Sequence, residues 1–186
     1  AEGLPLLGET LLAPLAQRLQ ARGLQRVTLI PGGRLNLLPL HAAILPDNAG
    51  QTFGDAFIVN YAPSARTLAV SYRRGQDAAS TPRLLAVGNP LPLPEGVRSL
   101  PFARLEAEEI ARRFGQEESL YCEAAATHST VAAAIPGRTH LHFACHGQFN
   151  PEKPLESGLL LGGDTLTLRQ ILDNITLRGV RLAVLS

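Results

Sequence analysis

The sequence predicts an α/β fold: a mostly parallel central sheet with helices on both faces. Three observations carry that expectation. Apolar runs of strand length alternate along the chain with segments whose apolar residues follow helical spacing. After about residue 82 the alternation becomes regular, and helical crossovers between successive strands make those strands parallel. Hydrophobic residues are 45% of the chain and charged residues 18%, enough apolar material to build a core and too little charge for a disordered segment or coiled coil.

The elements follow in order. Leu7, Leu11, Leu15 and Leu19 line one face of a first helix, with Pro14 setting its start near Thr10 and Gly23 ending it. Residues 25–30 read as a strand, Pro31-Gly32-Gly33 as a turn, and residues 34–40 as a strand pairing back in a short hairpin. Residues 56–61 are a further strand. Ser64 caps a helix in which Ala65, Leu68, Ala69 and Tyr72 share a face, and Gly75 stops it. The polar stretch 76–82 is the internal boundary, dividing the chain into portions 1–76 and 83–186.

In the second portion residues 83–87 form a strand and residues 88–101, with four prolines, a loop. Ala107, Ile110, Ala111 and Phe114 mark a helix ended by Gly115, with Glu108 and Glu109 set to pair with Arg112 and Arg113 four residues on. Residues 119–122 are a short strand, and Thr127 caps a helix reaching Ile135. Residues 139–145 and 159–161 are strands. Thr167 caps a helix that presents Leu168, Ile171, Leu172 and Ile175, so Leu172 and Ile175 are expected to be buried. Residues 180–185 are the last strand. No internal repeat of 20–50 residues is found.

Composition excludes several functions. Seventeen basic residues face sixteen acidic ones, which leaves no electrostatic footprint for nucleic acid. No apolar run reaches the roughly 18–20 residues of a membrane span, and the first residues lack the basic start and cleavage site of a signal peptide. Two cysteines cannot make a disulfide framework, so a reduced, cytoplasmic protein is the expectation. The chain contains no Met, which suggests a piece of a longer protein.

Ligands in open α/β sheets bind beyond the carboxyl ends of strands. Three strand ends carry suggestive residues: Gly88-Asn89-Pro90, Cys145-His146-Gly147 and Ser186. An imidazole at a strand mouth can move protons near neutral pH, and a following glycine lets its N–H approach a carbonyl oxygen. The plainer reading is a solvated histidine and a turn glycine. Cys145 falls in phase with Leu141 and Phe143, on the opposite face from His146, and reads as a buried structural thiol; Cys122 reads as packing. His140, His142 and His146 are in phase, and HLHFACH is similar to the zinc-binding HxHxDH motif of metallo-β-lactamases. Ala144 stands where that motif needs Asp, and His41 and His128 sit apart, so no bound metal and no cofactor are expected. Neither Gly32-Gly33 nor Gly162-Gly163 matches a nucleotide-binding loop.

Taken together, RLLAVGNP, LPFARLEAEEIARRF, THLHFACHG and ESGLLLGGDTLTLRQILDNITLRGVRLAVLS resemble the CHAT domain, a bacterial branch of the caspase and separase clan of cysteine peptidases. LIPGGRLNLLPLHAAIL and IVNYAPSARTL resemble its N-terminal portion, so the likeness covers nearly the whole chain. It implies a caspase-like three-layer sandwich, with 1–76 the N-terminal portion and 83–186 the catalytic portion. It further implies a Cys-His dyad cleaving peptide bonds of a protein substrate. His146 matches the catalytic histidine and Gly147 the glycine of the oxyanion hole. The cysteine of an LSAC-type motif would fall two residues after Ser186. Ser186 then lines the pocket for the residue before the scissile bond, with Asn89 nearby. The family also implies a preceding tetratricopeptide or other regulatory region and a role in bacterial regulation and antiviral defence. The alternatives are a catalytically inactive scaffold binding a protein partner and a metal-dependent hydrolase using His140, His142 and His146.

Overall fold

The computed structural model describes residues 3–46, 50–76 and 81–186. The chain divides into two compact units, 1–78 and 79–186. The part of the boundary stretch at residues 77–80 lies outside the described residues.

In the first unit a helical rod runs from Gly3 in three segments: α1 (Gly3–Leu7), a π-helical turn (Gly8–Leu12) and α2 (Ala13–Gln20). Pro14 therefore interrupts nothing at the point expected for a helix start. The π turn comes just before it, with Ala13 N–H bonded to the Gly8 carbonyl five residues back. The extra residue in that turn shifts the buried face, so Leu12 and Ala16 are buried and Leu11 is exposed. Gly8 lies so close to the Ile44 carbonyl that a Cβ there would collide with it, which fixes the rod against the chain at 43–45.

β1 (Arg26–Leu29) pairs in parallel with β2 (Ile58–Tyr61). The expected hairpin at 34–40 is instead two 3-10 turns, Gly33–Leu37 and Leu40–Ala42. Pro39 has no N–H to give a ladder, and β1 takes β2 as its partner. The start of the expected strand 56–61 is a helical turn, α3 (Phe53–Ala56), closed by a capping box between Thr52 and Asp55. Leu12, Leu29, Leu40, Phe53 and Phe57 form this unit's core. α4 (Ala65–Gln76) starts at the Ser64 hydroxyl, which accepts from Thr67 N–H at 3.1 Å, and runs through Gly75.

The second unit is the α/β sandwich expected. β3 (Leu84–Gly88), β4 (Leu120–Cys122), β5 (His140–Ala144) and β9 (Leu182–Leu185) make a parallel sheet in the order β4-β3-β5-β9. Alternation along β3 sorts its side chains. Leu84 and Ala86 face α5 (Ala103–Phe114), where Ala107 and Ala111 are buried. Leu85 and Val87 face the other layer with Leu141, Phe143 and Cys145. That layer holds α6 (His128–Ala134), a three-stranded antiparallel sheet and α7 (Leu168–Asn174). The small sheet runs β6 (Gly147–Gln148), β7 (Gly158–Leu161) and β8 (Asp164–Thr167); β6 has two residues and β8, with the sequence DTLT, has no apolar run, so the sequence announces neither. Thr127 and Thr167 cap their helices as expected, each accepting from the N–H three residues on. Glu109 pairs with both Arg112 and Arg113, while Glu108 turns to Arg104 instead.

The expected burial of α7 is half right. Ile171 and Ile175 pack on the core, one turn apart, while Leu168 and Leu172 fall outside that stripe and Leu172 is 65% exposed. Replacing Leu172 with Ala should therefore cost less than about 0.5 kcal/mol in denaturant unfolding. Leu161→Ala, in the centre of the core, should cost about 2–5 kcal/mol.

Candidate active site

β5 and β9 set the frame. Their register pairs His140 with Leu182 and Phe143 with Leu185. The ladder continues past both strands: Ser186 N–H donates to the Phe143 carbonyl at 2.9 Å, and Cys145 N–H to the Ser186 carbonyl at 3.3 Å. Ser186 thus lies beside Ala144 at the carboxyl edge of the sheet. His142, Ala144 and Ser186 face the α5 side, whereas Leu141, Phe143 and Cys145 face the opposite core.

His146 is half-buried, and its orientation is fixed by a backbone group. Its Nε2 lies 2.7 Å from the Arg98 carbonyl oxygen. A carbonyl only accepts, so Nε2 carries the proton and Nδ1 is left as the basic nitrogen. The loop at 89–102 holds that carbonyl in place. Asn89, buried and left-handed at φ 46°, accepts at Oδ1 from the Ser99 hydroxyl (3.0 Å) and from Leu100 N–H (3.1 Å), the two residues that follow Arg98. Its own N–H donates to the Ala144 carbonyl. Asn89 therefore clamps the loop with its side chain. Leu91 N–H donates to the Glu123 carbonyl and Gly163 N–H to the Pro92 carbonyl, which secure the far end of the loop.

Gly147 begins β6 opposite Leu159. Leu160 N–H donates to the His146 carbonyl at 2.8 Å, which makes Gly147 and Leu159 a non-hydrogen-bonded pair. The ladder thus leaves the Gly147 N–H uncommitted, next to the imidazole.

A carboxylate completes the edge. Gly88 ends β3 with its Cα against α5: a Cβ there would stand 2.7 Å from Ala107 Cβ and 2.8 Å from the Ala103 carbonyl. This close approach brings Glu106 of α5 over the sheet. Glu106 Oε2 accepts from the Ser186 hydroxyl at 3.1 Å. Oε1 lies 3.1 Å from Nε2 of the buried His142, off the direction of the ring N–H, so the two touch without a directed hydrogen bond. A cavity of about 210 Å³ opens there, lined by Leu100, Pro101, Phe102, Ala103, Glu106, Ala144 and Ser186. A second, apolar hollow of about 470 Å³ lies on the Asn89 loop, among Leu91, Pro92, Leu93, Val97, Ser99 and Ala124.

The three in-phase histidines each have separate engagements. His140 Nδ1 contacts the Thr139 hydroxyl and its ring meets Phe114 edge-on; His142 meets Glu106; His146 meets Arg98. At about 3.3 Å per residue, His140 and His146 stand roughly 20 Å apart along an extended chain, too far for one coordination shell. Among the described residues no group of three or more His, Cys, Asp or Glu side chains is placed to hold a metal ion. Cys145 is 8% exposed and burial pushes its thiol up to about 11; burial also raises the Cys122 thiol. Neither is poised as a thiolate.

The fold and this edge define a caspase-like α/β domain with a histidine at its strand mouth. The CHAT domain family model matches residues 3–186, so the chain belongs to the CHAT family, a caspase-like, peptidase-related group. No curated protein matches it. No helix among the described residues is long and apolar enough to cross a membrane.

Of the expected site residues, His146, Gly147 and Ser186 gather at one sheet edge. Sequence reasoning missed Arg98, whose contribution is a carbonyl with no side-chain signature, and Glu106, which reads as part of a solvated helix face.

The buried thiol gives a direct check. With its titration near 11, about one Cys145 in a thousand is ionised at pH 8. Iodoacetamide at pH 8 should leave Cys145 unlabelled in the native protein and label it readily in denaturant, read by peptide mass spectrometry. Rapid native labelling would place Cys145 at the surface.

Proposed function

We propose that this chain carries most of a cysteine endopeptidase that cleaves peptide bonds of a protein substrate through a Cys-His dyad. The observation that carries the reading is the β5–β9 register. Phe143 lies opposite Leu185 and Ser186 beside Ala144; continued two residues further, that register would set the position two past Ser186 opposite His146. The family's cysteine is expected at that position.

The chemistry then follows from the histidine's fixed tautomer. Nδ1 takes the thiol proton, and the thiolate attacks the substrate carbonyl carbon. The oxygen that gains the electron pair is held by the Gly147 N–H. The Nδ1 proton passes to the departing amine as the C–N bond breaks and a thioester remains. Water, deprotonated by the same Nδ1, hydrolyses the thioester and restores the thiol. The Arg98 carbonyl holds the ring in place through the Nε2 proton. A thiol of ordinary pKa about 8.5 needs only modest help to ionise beside such a base. The chain's remaining expected partners are a preceding tetratricopeptide or other regulatory region and no cofactor, in a cytoplasmic setting.

In the full-length protein, His146→Ala should abolish cleavage of its substrate with the circular dichroism spectrum unchanged. Cys145→Ser should keep substantial activity, since that side chain points into the opposite core. Undiminished cleavage by His146→Ala would remove His146 from the dyad, whereas no cleavage by the native protein, or a second position past Ser186 that is not cysteine, would leave the partner-binding scaffold as the reading.

A further inference from the structure

Resting on the peptidase reading, we propose that Glu106 makes the cavity beside Ser186 a receptor for a basic side chain, lysine or arginine, on the residue before the scissile bond.

Position comes first. Ala144 and Ser186 form the cavity's inner wall. Ala144, the last residue of β5, precedes His146 by two residues, a span of at most about 7 Å. A side chain in this cavity therefore belongs to a substrate residue at, or directly beside, the bond that the imidazole reaches.

The chemistry of the lining selects the occupant. Leu100, Pro101, Phe102, Ala103 and Ala144 are apolar, and Glu106 is the charged side chain among the lining residues. The Phe102 ring is 75% exposed and offers a surface for a methylene stem or a guanidinium plane. Glu106 is about 39% exposed, open to a ligand and yet not free to turn away. Its Oε2 is tied to the Ser186 hydroxyl and its Oε1 lies against His142. Holding the carboxylate in one place before binding lowers the ordering cost of pairing with a cation.

The neighbouring cation does not cancel it. Arg104, two residues earlier on α5, is turned to Glu108 at 2.7 Å and to Glu123 at 3.3 Å. Lysine and arginine combine the apolar stem and charged head that this lining asks for. An acidic side chain would face like charge. An aliphatic one would cover Glu106 without pairing it, leaving a carboxylate stripped of water.

The test uses full-length protein and four aminomethylcoumarin peptides differing only in the residue before the scissile amide: Lys, Arg, Leu and Asp. We expect kcat/KM for the Lys and Arg peptides to exceed that for Leu and Asp by about tenfold or more. Glu106→Gln should lower the Lys and Arg values by about 10–100-fold and bring the four peptides close together. Glu106→Asp, which keeps the charge, should retain the basic preference, with thermal unfolding checking that both variants are folded. A native preference for Leu or Asp would overturn the assignment, as would a basic preference surviving in Glu106→Gln. If Glu106→Gln fails to fold, the native ranking alone decides. If none of the four peptides shows turnover that depends on His146, the peptidase reading itself falls and takes this pocket with it.

Discussion

The pairing of β5 with β9 decides which residues of the two strands meet at the site. Both strands run the same way, so their carboxyl ends finish at one edge, and the register between them fixes which residues finish together. A slip of one residue would turn the side chain of Ser186 away from Glu106 and bury it toward Leu141 and Phe143. The bond from Ser186 N–H to the Phe143 carbonyl opposes that slip just past the end of β9.

A second constraint acts through glycine and asparagine at the end of β3. Gly88 lets α5 approach closely enough for Glu106 to reach the end of β9. Asn89 adopts a left-handed conformation and gathers Ser99 and Leu100, which presents the Arg98 carbonyl to His146. Two adjacent residues thus position two different groups, one on a helix and one in a loop. The packing of the sandwich and the preparation of the histidine are one arrangement.

The fold was legible where period and punctuation agree. Leu84, Leu85, Ala86 and Val87 announce a strand covered on both faces, and Thr127 and Thr167 mark the helix starts at which they are found. Cys145 was separated from His146 by strand alternation alone, and its burial among Leu141 and Phe143 follows. What escaped depends on partners distant in sequence. Leu11 and Leu12 trade places because of one π turn, and Leu172 faces solvent because a seven-residue helix buries only the stripe of Ile171 and Ile175. Residues 34–40 have strand-like composition, yet β1 is taken by β2 and Pro39 cannot join a ladder. At the site, the histidine and its glycine carry a local signature. The carbonyl that orients the ring belongs to a residue 48 positions away, and the carboxylate at Ser186 to one 80 positions away.

The most direct test of the account is where a reactive substrate analogue attaches. A peptide bearing a thiol-directed electrophile, incubated with the full-length protein at neutral pH and followed by peptide mass spectrometry, should modify the residue two positions after Ser186. The label should be lost in His146→Ala. Modification of Cys145 or Cys122 in its place, or labelling that is indifferent to His146, would contradict the dyad that the β5–β9 register supports.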